Sequence, residues 1–300
     1  MAILVDNDTR VIIQGATGQQ GRYHTKRMLE YSVGVVAGIT PGRGGQEVHG
    51  VPVYDTIAAA TREHQVDASM ILVPPPGVLT AALEAIENNI PLIVIITEFV
   101  PIKDSLIIKT IADKQGVRVV GPNTVGIISP GKSKVGIMPG HIYREGTVGI
   151  ISRSGTLTHE VASNLTYRGI GQSTCVCIGG DPIRGSDFVD VLKLFRDDEQ
   201  TELIVMIGEI GGAGEEIAAT YITDSGYPKE VVAFIAGQTA PPEKKMGHAG
   251  AIISGGFGTA QSKKQNLIDA GVTVVTTLDG FSEYILQTRT PVPGKHRQNY

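Results

Sequence analysis

The stretch Arg10-Val11-Ile12-Ile13-Gln14 runs directly into Gly15-Ala16-Thr17-Gly18-Gln19-Gln20-Gly21, and a helical pattern follows at 22–31. A strand that enters a glycine turn and then a helix is the usual start of a dinucleotide-type fold. The glycines let the backbone approach a pyrophosphate, and the helix start offers N–H groups and a positive dipole end to that anion. The sequence therefore predicts an anion-binding turn at 15–21.

Outward from this unit, apolar strands alternate with helices along most of the chain. We expect strands at 33–39, 68–73, 92–97, 117–120, 147–151, 174–178, 203–207, 231–235 and 272–275. Such alternation is typical of parallel sheets covered by helices on both faces. The fold class is therefore α/β with two domains, a Rossmann-like one at 1–122 and a flavodoxin-like parallel one at 146–289. The Gly/Pro-rich range 123–145 is interpreted as a linker and 290–300 as a loose tail.

The composition limits the classes of protein to which the chain can belong. The chain has 300 residues, 41% of them hydrophobic and 19% charged, which is typical of a soluble globular protein. The net charge of −4 argues against nucleic acid as the main partner. No apolar run approaches the roughly 20 residues of a membrane span, and the N-terminus lacks a signal-peptide profile. We expect no membrane association and a bacterial or archaeal cytoplasm, rather than a mitochondrial matrix, as the location.

The two cysteines, Cys175 and Cys177, stand two apart in an apolar run, so in a strand they would share one face. Small thiols are commonly buried, and two cysteines give neither a disulfide framework nor enough ligands for zinc. We interpret them as core thiols and expect no metal site.

The tip of the second strand, Gly38 to Gly45, carries no acidic residue. An NAD site usually places Asp or Glu there to hold a ribose. Arg43 would instead suit an extra phosphate, as in NADP or coenzyme A, although a solvated arginine is the other interpretation. Pro74 and the pair Thr97-Glu98 follow later strands, and ligands of open parallel sheets bind at that edge.

The second domain repeats the strand–small loop–helix pattern at Ser152-Arg153-Ser154-Gly155-Thr156-Leu157-Thr158. Thr156 or Thr158 would cap the helix that follows. The exposed N–H groups would either form a second anion seat or simply belong to an ordinary capped helix. Glu209, after a later strand, would either accept the N–H of an imidazole or remain a solvated or capping carboxylate.

His248 lies between glycines in Gly247-His248-Ala249-Gly250, a loop composition. A neutral imidazole is a nucleophile that titrates near neutrality, so it can attack phosphorus and carry a phosphoryl group. The alternative is a loop histidine held by backbone hydrogen bonds.

Six stretches, taken in order, carry a resemblance. They are Gly-Ala-Thr-Gly-Gln-Gln-Gly at 15–21, Thr-Pro-Gly-Arg-Gly-Gly at 40–45, Ser-Arg-Ser-Gly-Thr-Leu-Thr at 152–158, Ile-Gly-Gly-Asp-Pro at 178–182, Gly-Glu-Ile-Gly-Gly at 208–212 and Gly-His-Ala-Gly-Ala at 247–251. With them the chain resembles the succinyl-CoA synthetase alpha-subunit family from about Ile3 to Ile285.

The resemblance implies a function. The histidine matching His248 accepts phosphate from ATP or GTP, which is held with Mg²⁺ on a separate beta subunit in a heterodimer or heterotetramer. An acid takes the phosphoryl group, and coenzyme A then displaces phosphate to give the thioester. Glu209 holds the histidine, and Ser154-Gly155-Thr156 forms one of two helix ends around the phosphate. The implied coenzyme A contacts are Thr17, Gly18, Gln19, Gln20, Arg43, Pro74, Ile96, Thr97 and Glu98.

Departures from the family pattern concern the acid. His159 stands where the family usually has tyrosine, and Asn123-Thr124-Val125-Gly126 replaces Asn-Cys-Pro-Gly near the place where acid and thiol should meet. Arg43 and Phe257 stand where lysine is frequent. Succinate is the expected acid, with malate or citrate left open. An NADP-dependent oxidoreductase and a non-catalytic coenzyme A-binding protein are the alternatives from other classes.

Overall fold

The computed structural model describes residues 2–241, 244, 246–253 and 258–288, and these residues build two seven-stranded sheets flanked by helices. Phe257 and the expected tail at 290–300 lie outside the described residues.

The first sheet has the strand order β3-β4-β2-β1-β5-β6-β7. Its strands are β1 (Arg10–Gln14), β2 (Gly34–Ile39), β3 (Glu47–Val48), β4 (Val51–Tyr54), β5 (Ala68–Ile71), β6 (Leu92–Ile95) and β7 (Arg118–Val120). Its helices are α1 (Gln19–Glu30), α2 (Ile57–Ala60), α3 (Val78–Glu87) and α4 (Ile102–Gln115). All pairs are parallel except β3 with β4. The parallel strands follow the doubly wound Rossmann order, which confirms that prediction and puts the ligand crevice between β1 and β5.

The second sheet has the order β14-β13-β12-β10-β11-β8-β9. Its strands are β8 (Gly126–Ser129), β9 (Ser133–Gly136), β10 (Glu145–Ser152), β11 (Gln172–Cys177), β12 (Leu203–Glu209), β13 (Glu230–Ala236) and β14 (Thr273–Val274). Its helices are α5 (Gly155–Tyr167), α6 (Phe188–Arg196), α7 (Gly214–Asp224), α8 (Ala260–Asp269) and α9 (Gly280–Thr288). The parallel strands β11-β10-β12-β13-β14 follow the flavodoxin order, so the predicted fold class is confirmed.

The range 123–145, expected as a linker, contributes the antiparallel strands β8 and β9 to the second sheet. Both strands are short, and Gly and Pro residues interrupt this range, so it carries no clear strand pattern. The hairpin pairs with β11 through Ile128 and Cys175. The exact domain boundaries therefore remain a prediction.

Strands covered on both faces are mostly apolar, as expected of a parallel sheet between helix layers. The three isoleucine and valine residues of β1, Val11, Ile12 and Ile13, are fully buried, and so is the apolar run of β12. Cys175 and Cys177 are also fully buried in one cluster, as predicted for core thiols. Among the described residues, no helix is both long and apolar enough to cross a membrane.

The segment 121–124 joins the carboxyl edges of the two sheets. The Asn123 N–H donates to the Thr97 carbonyl at 3.0 Å, and the Gly180 N–H donates to the Asn123 carbonyl at 3.3 Å. The Thr124 hydroxyl donates to the Cys177 carbonyl. Loops after β6 and β11 are thereby held side by side, and the candidate site lies where they meet.

Candidate functional site

His248 and Glu209 form a direct pair. Nδ1 of His248 lies 2.8 Å from Oε2 of Glu209, whose side chain is buried, while 28% of the histidine side chain is exposed. A carboxylate only accepts hydrogen bonds, so Nδ1 carries the proton and Nε2 keeps its lone pair. Gly180 packs against the ring so closely that a Cβ there would lie 2.4 Å from Cγ of His248. The imidazole is thus oriented from one side and available on the other.

The backbone around His248 forms a small closed loop. The Met246 N–H donates to the Ala251 carbonyl at 2.9 Å, and the Ala251 N–H donates to the His248 carbonyl at 3.1 Å. The Gly250 N–H donates to the Gly180 carbonyl at 3.1 Å. Gly247 has a φ of +79°, a conformation that glycine adopts without strain. The histidine is therefore held by backbone bonds and paired with a carboxylate at the same time.

Behind the pair, Arg153 connects Glu209 to the buried carboxylate of Glu215. Its guanidinium lies 3.3 Å from Oε1 of Glu209 and 3.2 Å from Oε1 of Glu215, and it donates to the Gly211 carbonyl at 2.9 Å. Glu215 also accepts the backbone N–H of Glu209 at 3.0 Å. Buried charges persist only when they are paired in this way. Arg153 therefore fixes the position of the carboxylate that faces His248.

Lys263 completes the charge cluster from the opposite side. Its ammonium is fully buried and lies 2.5 Å from Glu215 and 2.9 Å from Glu216, and it donates to the Gly212 carbonyl at 2.8 Å. Burial alone would raise the pKa of Glu215, but Arg153 and Lys263 together bring the pKa of that carboxyl below its usual range. Lys263 stands in the first turn of α8, the helix that follows the His248 loop, so the loop's exit is anchored to α7.

The environment shifts the pKa of His248 upward. The hydrogen bond to Glu209 raises this pKa most, burial opposes it, and the charge of Glu209 adds to the rise. The charge of Arg153 lowers this pKa and that of Asp181 raises it. Because the folded pKa exceeds the ordinary value, the pair's contribution to stability is full below the unfolded pKa. That contribution is lost as pH rises through the folded pKa.

Replacing Glu209 with glutamine should lower the pKa of His248, because the neutral amide removes the charge that favours the imidazolium. NMR titration of the His248 imidazole, followed through its ring carbons, measures the shift directly. The matched control is Glu98→Gln, which removes a charge from the same cleft without touching the ring. An unchanged pKa in Glu209→Gln, or an equal shift in Glu98→Gln, would contradict the pairing.

The helix predicted after the second small-residue loop begins at Gly155, and its cap differs from the prediction. Ser154, rather than Thr156 or Thr158, caps α5 by accepting the Leu157 N–H at 3.3 Å. The prediction of a threonine cap was wrong because the chain enters the helix immediately after Ser154, so both threonines lie inside its first turns. At the start of α5, Ser154 is buried, Gly155 packs against Val125 and Thr156 is exposed. Ser152 pairs with Ile207, so α5 begins next to the strand end that carries Glu209.

A cleft of about 130 Å³ lies in front of His248. Loops from both domains line it. On the side of the first sheet these residues are Glu98, Phe99, Val100, Ile102 and Ser105. The connecting segment and the side of the second sheet contribute Asn123, Asp181, Pro182, Ile183, Gly247, His248 and Ala249. Asn123 donates its amide to Asp181 at 2.9 Å across the floor. The cleft thus connects the carboxyl edge of β6 with the imidazole.

The residues expected to contact coenzyme A follow the carboxyl ends of the first sheet's parallel strands. Thr17 and Gly18 lie at the start of α1, where no side chain caps the helix, and Gln19 and Gln20 are exposed. Gly15 has a φ of +89° in this turn. Arg43 is exposed after β2, Pro74 is exposed after β5, and Ile96, Thr97 and Glu98 follow β6. The Thr97 hydroxyl donates to the Val73 carbonyl at 2.7 Å and ties the last two loops together.

An uncapped helix start and an exposed arginine suit a ligand that carries several phosphates. The residues at this edge therefore fit the phosphate-bearing part of coenzyme A, for which the sequence predicted Arg43. They come from four separate strand ends, those of β1, β2, β5 and β6.

His159 lies on α5 and packs edge to face against Tyr143, with ring centroids 6.3 Å apart. Its Nε2 is buried and has no hydrogen-bond partner among the described residues. Burial lowers the pKa of His159, which favours the neutral ring. A histidine in place of the family's tyrosine could either add a positive charge for an extra carboxylate or replace the tyrosine hydroxyl as a hydrogen-bond donor, and the lowered pKa disfavours the first role.

Sequence reasoning did not assign roles to Arg153, Asp181, Glu215 or Lys263. Arg153 and Asp181 stand within stretches that carried the resemblance, so their motifs offered a signal. Glu215 and Lys263 offered none, because charged residues in a helix are ordinarily solvent-exposed.

Comparison with known proteins gives two family models. A CoA binding domain model matches residues 6–99, and a CoA-ligase model matches residues 151–273. A curated protein of Methanothermobacter thermautotrophicus, succinate–CoA ligase [ADP-forming] subunit alpha, is 57% identical over 91% of this chain and 92% of its own length. The protein of the same name from Aquifex aeolicus is 52% identical over 92% of this chain and 90% of its own length.

Solved structures show the same fold at lower identity. ATP citrate lyase from Methanothrix soehngenii, in complex with citrate and coenzyme A, has a TM-score of 0.86 and 24% identity over 99% of this chain. A dinucleotide-forming acetyl-coenzyme A synthetase from Ca. Korarchaeum cryptofilum has a TM-score of 0.75 and 23% identity over 90% of this chain. This chain spans 54% and 58% of those two chains, respectively.

Proposed function

Because the chain belongs to the family of succinate–CoA ligase alpha subunits, we propose that it is the alpha subunit of an ADP-forming ligase that joins succinate to coenzyme A. The observation that carries the proposal is the His248–Glu209 pair on the wall of a cleft that also reaches Glu98. The pair supplies a nucleophile, and the cleft gives it a path to the edge where the CoA binding domain model matches.

In the first step, Nε2 of His248 attacks the terminal phosphorus of ATP and the bond to ADP breaks. Forming the N–P bond makes the ring more positive, and the Glu209 carboxylate stabilises that charge through Nδ1–H. The lone pair is on the correct nitrogen because Glu209 holds the proton on Nδ1. Glu209 therefore acts as the positioning and charge-stabilising partner.

In the second step, a carboxylate oxygen of succinate attacks the phosphorus, and the N–P bond breaks to regenerate His248. In the third step, the thiol sulfur of coenzyme A attacks the acyl carbon of succinyl phosphate. Phosphate leaves, and the thiol proton ends on it. Direct condensation would have to expel a poor leaving group from the carboxylate, so the route through two intermediates makes each step accessible.

The phosphoryl group carries about two negative charges, which need positive partners near His248. The start of α5, at Ser154, Gly155 and Thr156, offers N–H groups and a helix dipole. Such an end contributes about 1 kcal/mol when exposed and more where water is excluded. We assign a second helix end of this kind to the beta subunit.

The first sheet's edge is the proposed site of coenzyme A. The proposed contacts are Thr17, Gly18, Gln19, Gln20, Arg43, Pro74, Ile96, Thr97 and Glu98. Arg43 would bind a phosphate, and the residues after β6 would direct the thiol toward the cleft.

A beta subunit is the proposed partner, in a heterodimer or heterotetramer, because the relatives are named as alpha subunits. It would hold ATP and Mg²⁺, since the G-x-x-x-x-G-K-[ST] run from Gly126 to Ser133 spans the β8–β9 hairpin and does not lead from a strand into a helix, as a P-loop does. ATP is preferred over GTP because those relatives are named ADP-forming. Relatives from archaea and bacteria support a cytoplasmic location.

Succinate is the proposed acid because the relatives are named for it. Asn123 and His159 are the residues assigned to the acid side, and Asn123 lines the cleft beside His248. A neutral His159 would act as a hydrogen-bonding residue, not as a cation for a third carboxylate. His159 is not among the described residues that line the cleft beside His248.

The test uses the chain assembled with its beta subunit and ATP labelled on the terminal phosphate. The alpha chain should become labelled in an acid-labile, base-stable form, and succinate with coenzyme A should discharge the label into phosphate. Malate, citrate and itaconate, tried separately, should discharge it at least about tenfold more slowly. An alpha chain that stays unlabelled would disprove the phosphohistidine route, and equal discharge by malate would disprove the choice of succinate.

The oxidoreductase alternative is tested by titration with NADPH and with coenzyme A. Coenzyme A alone should bind at micromolar concentration. The CoA-ligase model match at 151–273 disfavours the oxidoreductase in advance. A complex that binds coenzyme A but turns over no acid would revive the non-catalytic interpretation.

A further inference from the structure

Phe99 is exposed and holds an unfavourable backbone conformation. Phe99 is 80% exposed to solvent, and its backbone φ is +60°. For a bulky residue the left-handed region is energetically unfavourable, and such residues persist where the surrounding structure or a ligand requires them. The next residue, Val100, is buried, and Pro101 precedes α4. The chain is therefore pinned just beyond Phe99, while the ring itself points away from the core.

The ring stands at the boundary between the two parts of the site. Phe99 follows Glu98, the last proposed coenzyme A contact, and lines the same cleft as His248. Val100 and Ile102 continue this wall, and Pro182 and Ile183 form apolar surface on the second-sheet side. Asn123, with a φ of +57°, also has a left-handed backbone at the same cleft, a conformation that asparagine tolerates. Strain and apolar surface thus coincide on the path between β6 and the imidazole.

We propose that Phe99 covers the thiol-bearing arm of coenzyme A where the arm crosses from the β6 edge to His248. The inference rests on the proposed function, which requires the thiol to meet an acyl phosphate beside His248. The arm is a chain of methylene and amide groups, and an aromatic face can bury its apolar part. Covering this passage also keeps water from the acyl phosphate, which water would otherwise hydrolyse.

The conformation of Phe99 fits this role. An exposed aromatic side chain gains little burial energy on folding, so the unfavourable backbone of Phe99 is not offset in the chain alone. Burial of the ring against a ligand in the cleft would offset it. The beta subunit is the competing occupant, and substitutions at Phe99 distinguish it from coenzyme A.

Two variants separate backbone strain from apolar cover. Phe99→Gly removes both, because glycine adopts a φ of +60° freely. Phe99→Leu keeps a side chain at the strained position and keeps apolar surface. In the ligand-free alpha–beta complex, the melting temperature should rise by about 2 °C for Phe99→Gly and stay unchanged for Phe99→Leu.

Ligand binding is measured by calorimetric titration with coenzyme A and with adenosine 3′,5′-bisphosphate, which lacks the thiol arm. Phe99→Gly should bind coenzyme A about tenfold more weakly and the bisphosphate as well as the wild type does. Phe99→Leu should stay within about threefold for both. Phe99→Gly should also consume more ATP per thioester formed, while its initial labelling by ATP remains at the wild-type rate.

Unchanged coenzyme A affinity in Phe99→Gly would overturn the proposal. An equal loss for the bisphosphate would also overturn it, because the contact would then involve the nucleotide part. Slower labelling or a weakened alpha–beta complex would assign Phe99 to the partner interface instead. Failure of the proposed function shows separately, as an unlabelled wild-type chain.

Discussion

Replacing His248 with asparagine is expected to abolish labelling by ATP and to lower overall turnover by about 10⁴-fold or more. Removing the nucleophile of a covalent mechanism leaves no alternative group to carry the phosphoryl intermediate. Asparagine is the informative replacement because its amide can still donate to Glu209 at the position of Nδ1–H. The buried carboxylate therefore keeps a partner, and the loss reports chemistry rather than unfolding.

The measurement is label incorporation into the alpha chain, followed by the rate of succinyl-CoA formation in the assembled complex. The matched control is His141→Asn, which replaces an exposed histidine that is not part of the cleft lining. His141→Asn should keep wild-type labelling. Full labelling of His248→Asn would move the phosphorylation site to another residue and would disprove the role of His248 as the nucleophile.

The second large effect is on stability. Replacing Lys263 with methionine should destabilise the chain by about 3–5 kcal/mol, because it removes the buried cation that Glu215 and Glu216 share and leaves Glu215 with Arg153 alone among the described pairs. Methionine fills a similar volume, so the loss comes from the missing positive charge rather than from a cavity. The melting temperature should fall by roughly 10 °C.

The control is Lys264→Met, which changes the neighbouring lysine, a residue that is not fully buried. Thermal unfolding of the two variants, compared in the same buffer, should differ by most of the predicted shift. Equal melting temperatures would mean that Lys263 does not hold the cluster behind Glu209.

Most of the fold could be predicted from the sequence, because the patterns that indicate its strands and helices are local. The Arg10–Gln14 strand and the glycine turn after it appear where the sequence predicted them. Fully apolar strands such as β12 are recognisable because both faces are covered. The pairs β3–β4 and β8–β9 were missed, since strands of two to four residues in Gly/Pro-rich segments have no period to detect. The Ser154 cap was missed because several adjacent Ser and Thr residues are equally suitable caps in sequence.

The sequence by itself determined the α/β class, the candidate nucleophile and the candidate carboxylate. It could do so because glycine turns and strand ends are recognised from consecutive residues. Only the tertiary structure decided that His248 contacts Glu209 at 2.8 Å across 39 positions of chain. It also decided that Arg153, Glu215 and Lys263 stand behind that contact as buried, mutually paired charges. Strand order brings loops that are distant in sequence to one edge of the sheet. Burial then holds charged residues, which are usually found at the surface, in fixed pairs. Neither effect can be detected from a local sequence pattern.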